Sequence, residues 1–134
     1  MGLLPVLYER KNKYIIKMPQ KITEKAKLQC NQGTALTQLK VTSQNFFFIE
    51  NKPIATEKDK QGNINIKAFG LCKLKPIPGG FLPCVPTPIS WKQTTKKDKL
   101  NDYKILLDTS ICPCAIGGTI KVIDKGHSEN HEEE

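Results

Sequence analysis

Five cysteines are the residues in this chain best suited to chemistry: Cys30, Cys72, Cys84, Cys112 and Cys114. Thiolates hold soft cations or exchange with disulfides, so the first question is which of these five thiols could do. The apolar run in MGLLPVLYERK is too short for a secretory signal, and Arg10 and Lys11 lie on its wrong side. This predicts a reducing compartment, where clustered cysteines serve metals more than disulfides. The odd count leaves one thiol over from any four-thiolate site. Cys112-Pro113-Cys114 is a CxC pair, which can give two thiolates to one ion. The wide spacing of Cys30, Cys72 and Cys84 fits no common zinc ribbon. Every cysteine sits near Gly or Pro, as with Cys30 before Gly33 and Cys84 between Pro83 and Pro86. Loops converging at one end of a small β structure would gather these sulfurs. The competing reading is that free cysteine acts as a small buried hydrophobe. Spacing alone leaves both open.

Other chemistry is sparse. The two histidines, His127 and His131, stand in the C-terminal segment and are read as surface residues. Asp59, Asp102 and Asp108 are read as turn formers rather than paired catalytic acids. Gly79-Gly80 lies among prolines and precedes no helix, so it is no phosphate loop. Phe46, Phe47, Phe48 and Trp91 could stack on nucleic-acid bases. Three consecutive Phe on a strand point to alternate faces, however, so at least one is expected in the core. No catalytic residue is assigned, and the chain is read as a non-enzyme.

The elements that must position the thiols are short. The chain has 134 residues, 38% hydrophobic and 25% charged, with nine Pro and nine Gly. Mean hydropathy is −0.41. This fits one domain with tails and a core small enough to want an extra staple. The Pro and Gly content excludes a helical bundle. No run approaches the roughly 20 apolar residues that span a bilayer. Short strands are expected around Tyr14–Ile16, Leu36–Val41, Phe46–Ile49, Asn63–Phe69, Tyr103–Leu107 and Thr119–Ile123, with 36–41 and 46–49 as a hairpin. Residues 76–88 hold five Pro and two Gly and are read as a rigid loop with no regular element. The fold class is therefore all-β. Residues 1–12 form a flexible arm, 13–126 the domain, and 127–134 a disordered acidic tail. Residues 1–123 carry a net charge of +12 and the last eleven a net of −4. Only Arg10 among 21 basic residues is Arg, and Lys-rich surfaces lack the forked donors that base and phosphate readers favour.

The ordered segments LQCNQG, PIATEKDKQGNINIKAFGLCK, PIPGGFLPCVPTPISW and KILLDTSICPCAIGGTIKVIDKG resemble the PAAR-like spike-tip proteins of bacterial contractile injection systems, including type VI secretion. The resemblance covers residues 13–126. It implies a small conical arrangement of short strands that caps and sharpens a trimeric β-helical spike of the valine-glycine-repeat type. It also implies that effector proteins can attach, that a target membrane is met only transiently during puncture, and that no nucleic acid is stably bound. The protein would assemble in the bacterial cytoplasm and leave at the tip of the particle. A structural Zn²⁺ is implied on Cys30, Cys72, Cys84 and Cys114, with Cys112 as substitute ligand. The chain departs from His-containing tips, because no His lies within residues 1–126. Two alternatives stand beside this: a zinc-stapled nucleic-acid-binding module, and a thiol-redox protein using Cys112 and Cys114, which requires depressed thiol pKa values.

Overall fold

Alternation of apolar and polar residues in Lys27–Cys30 and Thr119–Asp124 gives two strands with one buried side each, and they pair with each other. They form the centre of the only sheet of more than two strands among the described residues. The computed structural model describes residues 18–132. In chain order its strands are β1 (Lys27–Cys30), β2 (Thr37–Gln38), β3 (Phe48–Ile49), β4 (Lys52–Pro53), β5 (Leu71–Ile77), β6 (Gly80–Pro83), β7 (Lys99–Leu100), β8 (Tyr103–Lys104), β9 (Ile111–Pro113) and β10 (Thr119–Asp124). No described residue is helical. The antiparallel sheet runs β2-β1-β10-β9, and three two-stranded hairpins complete the set: β3-β4, β5-β6 and β7-β8.

The all-β expectation holds, but several elements differ from the sequence reading. Residues 36–41 and 46–49 do not pair. Instead β3 turns straight into β4 through Glu50-Asn51, whose φ values of 53° and 63° are both left-handed. Asn101-Asp102, at 53° and 65°, makes the same turn between β7 and β8. Two consecutive left-handed residues match the twist of a two-residue hairpin, and Asn and Asp tolerate that conformation best. Residues 63–69 alternate in sequence but make no strand. Asn65 and Ile66 donate back to the Gln61 carbonyl, so the segment is a turn stapled by Asn65. Residues 76–88, expected to hold no regular element, contain the end of β5 and all of β6. A two-stranded ribbon has open edges, so prolines lacking an N–H break no ladder there. Tyr14–Ile16 and the arm at residues 1–12 lie outside the described residues.

The core has two parts. The larger unites Ile22, Leu28, Leu39, Ile66, Phe69, Trp91, Leu106 and Ile120 with four of the cysteines. The smaller is Ile49, Ile54 and Ile105 under the β3-β4 and β7-β8 hairpins. The fold also holds a polar hub that spacing did not reveal. Asp59 is fully buried. Its Oδ1 accepts from the Thr42 and Ser43 N–H groups at 2.9 and 3.0 Å, and its Oδ2 from Thr56 N–H at 2.9 Å and Ser43 Oγ at 2.8 Å. The Trp91 indole donates to the Asp59 carbonyl at 2.9 Å. A buried carboxylate so saturated needs no cation partner.

The C-terminal segment, expected to be disordered from residue 127, is tied to the body through residue 132. Lys21 N–H donates to the His131 carbonyl at 2.8 Å, and Gln20 bridges Glu132. His127 is buried rather than a surface residue. Its Nδ1 accepts from Glu129 N–H at 3.1 Å, so Nε2 carries the proton it shares with the Lys21 carbonyl at 2.7 Å. Ser128 grips Glu50 with both its hydroxyl and its N–H, which holds that carboxyl below the usual carboxylate range. Backbone donors and acceptors left by residues 20–23 supply these contacts, which composition could not foretell.

Candidate functional site: the cysteine cluster

Cys30 closes β1, and Gly33 N–H bonds back to its carbonyl at 3.0 Å. Gly33 also bridges Cys72, the second residue of β5. A Cβ at Gly33 would lie 2.5 Å from the Phe69 Cβ, so only glycine lets these two chains meet. Cys84 is fastened by backbone bonds on both sides: Phe69 N–H to its carbonyl at 2.9 Å, and its own N–H to the Gly70 carbonyl at 2.7 Å. Gly70 holds φ at +72° against Thr34. Local turn geometry therefore draws three distant thiols together. Burial, followed by the neighbouring Cys72 and Cys30 thiols, pushes the Cys84 thiol up to about 12.

Cys112 and Cys114 form a second group. Cys112 lies on β9, in one row with Ile120 and Cys30 across the sheet. It is the most enclosed of the five, at 0% exposure. Burial pushes its thiol up to about 11, against backbone hydrogen bonds from Ile89 and Ser90 and the Lys60 charge. Cys114 accepts from Thr87 N–H at 3.3 Å and pairs with Pro88. All five cysteines are free thiols and all are buried.

Cys30 and Cys72 lie beside Cys84, and Cys114 N–H bonds the carbonyl of Gly118, the glycine that faces the Cys30 sulfur. Among the described residues no group of three or more His, Cys, Asp or Glu side chains is arranged to hold a metal ion. A metal staple on Cys30, Cys72, Cys84 and Cys114 is not shown. Four of the five thiols instead belong to the hydrophobic core, where cysteine packs as a small apolar side chain. The thiol-redox alternative is corrected for Cys112, whose pKa moves up rather than down.

The aromatic expectation also changes. Phe46, Phe47 and Phe48 are 76%, 55% and 49% exposed, so none enters the core. Ile49 takes that place. Trp91 is buried. Among the described residues no helix is long and apolar enough to cross a membrane.

Residues 22–127, with both cysteine groups, the Asp59 hub and the first turn of the C-terminal clasp, match the family described as "Domain of unknown function (DUF4280)". The chain belongs to this family. The match begins at the first buried core residue, Ile22, and ends at the buried His127. The family match therefore covers the buried core, while residues 20, 21 and 128–132 add the clasp outside it. Neither curated proteins nor solved structures gave a match.

Proposed function

We propose that this DUF4280 domain is a PAAR-like, non-catalytic spike tip that caps a trimeric β-helical spike in a bacterial contractile injection system. One observation carries the reading. The segments that bear the resemblance, with Cys30, Cys72, Cys84 and the Cys112–Gly118 turn, converge within one all-β unit spanning the family match. A tip must be small and rigid. Here glycine-gated close approaches and a saturated carboxylate provide rigidity without a catalytic cluster. The protein would assemble in the cytoplasm, leave on contraction, and carry effectors on its exposed hairpins. The reading is proposed without the zinc staple. Elemental analysis of protein purified without added metal should find none, and a full equivalent of zinc would overturn that part.

The test of the cap is co-expression with the trimeric spike of the same genome, followed by native mass spectrometry. One copy of this chain per three spike chains is expected. Folded partners that fail to associate at micromolar concentration would overturn the reading.

The nucleic-acid-binding alternative, without its zinc staple, gains from the exposure of the three phenylalanines. It predicts single-strand binding by fluorescence anisotropy that weakens steeply with salt. No binding at about 150 mM salt, where the Debye length is about 8 Å, removes it.

A further inference from the structure

The β5-β6 hairpin joins no larger sheet, and beyond its base Leu74 lies against the Gly117 turn. Among the described strands, β5 and β6 contact each other and no other strand. Its base is fixed at Cys72 and Lys73, where Lys73 N–H bonds the Gln32 carbonyl at 2.8 Å. Its turn is open: a Cβ at Gly79 or Gly80 would meet nothing within 4 Å. Leu74, Ile77, Phe81 and Leu82 are 44%, 43%, 39% and 45% exposed. Phe81 and Leu82 are neighbours on one strand and so point to opposite faces. Both faces of the hairpin are apolar and open to solvent. A lone two-stranded ribbon is marginal in water, and apolar side chains on both its faces mark an interaction element.

The charge around it states what kind of partner fits. From Lys60 to Lys97 the chain has seven lysines and no Asp or Glu. Lys73 and Lys75 stand four and two residues behind Ile77, while the turn from Pro76 to Pro83 is uncharged. An apolar, charge-free tip with cations set just behind it matches a surface that is hydrocarbon inside and anionic outside. We propose that the β5-β6 hairpin docks into the interface of a bilayer containing anionic phospholipid, with Ile77, Phe81 and Leu82 below the headgroups and Lys73 and Lys75 among them. Binding of this kind adds buried apolar area to attraction by anionic lipid. The inference does not depend on the spike-tip reading.

Flotation of the full chain with vesicles tests it. Phosphatidylcholine vesicles with 30% phosphatidylglycerol should carry the protein up, and pure phosphatidylcholine should not. Ile77→Ser with Phe81→Ser should abolish flotation while circular dichroism and melting stay unchanged, since both side chains lie outside the core. Lys73→Ala with Lys75→Ala should weaken binding about 30-fold, at about 1 kcal/mol per lysine near an anionic surface. Phe46→Ser with Phe47→Ser, the other exposed apolar pair, should leave binding intact. No flotation with the anionic vesicles, or flotation that survives loss of Ile77 and Phe81, would overturn the proposal. So would self-association in sedimentation that the hairpin variant alone removes, since the occupant would then be a second copy.

Discussion

The Asp59 hub and the β5-β6 hairpin are opposite solutions within one small molecule. Around Asp59, Ser43, Thr56, Asn65 and Trp91 leave scarcely a polar atom unpartnered. Along the hairpin, apolar side chains face solvent on both sides and nearly every residue beyond Cys72 is exposed or half-buried. The hub has satisfied its chemistry internally, and the hairpin has not. A region whose groups are all paired can be essential to folding yet has nothing left to offer a partner. The difference separates what keeps the fold from what the fold presents.

Substitutions at the hub should break the comparison most visibly. Asp59→Ala strands the buried Thr56 N–H and the part-buried N–H groups of Thr42 and Ser43, and is expected to cost on the order of 3 kcal/mol, at about 1–3 kcal/mol for a buried unsatisfied donor and less for the other two. Thermal unfolding measures it, and a fall in Tm of only a few degrees would show the hub to be dispensable. Gly62→Ala comes next. Its Cβ would lie 2.3 Å from the Pro86 carbonyl oxygen, a backbone atom that cannot swing aside. The expected cost is about 1–3 kcal/mol, typical of overpacking. His127→Ala removes the acceptor of Glu129 N–H and the donor to Lys21, and should cost about 1–2 kcal/mol for two hydrogen bonds. Limited proteolysis should then cut within residues 125–132 first.

The thiols sharpen the comparison through pH. Cys84 and Cys112 are held neutral by burial, at about 12 and about 11. Above the ordinary thiol range of about 8.5, the unfolded chain releases protons that the native protein keeps. That stability is fully present below about pH 8.5 and is lost as pH rises toward 11–12. Denaturant midpoints should accordingly fall between about pH 9 and 11 and stay level between about pH 7 and 8. Native-state alkylation at pH 8 should be slow at Cys84 and Cys112, and fast only after unfolding. Rapid modification of both in the native protein would contradict their burial. The smallest stability effect is expected at the hairpin, where Ile77→Ser with Phe81→Ser should change unfolding free energy by within about 0.5 kcal/mol, as for surface positions.

Much of this molecule was legible residue by residue. Thr119–Ile123 read as a strand because its alternation is carried by β-branched residues. Gly33, Gly70 and the prolines around Cys84 marked where thiol-bearing turns would come together. Asn63–Phe69 misled because its alternation is real but serves a turn, with Asn65 bonding Gln61, Lys40 and Thr42. The Pro-rich stretch misled in the other direction, because an edge ribbon tolerates what a central strand cannot. The clasp at residues 125–132 was hidden because its partners, Gln20, Lys21 and Glu50, are distant in sequence and carry no pattern of their own.

The sequence by itself determined the all-β class, the clustering of cysteines at Gly- and Pro-rich turns, and the acid-free lysine segment. These follow from backbone permissiveness and charge count, which are properties of local residues. Only the tertiary structure decided that Cys30 and Cys72 lie beside Cys84, that Asp59 is buried and saturated, and that the β5-β6 hairpin joins no larger sheet. Each of these depends on which distant backbone group or surface arrives beside a side chain, and packing of the whole chain sets that.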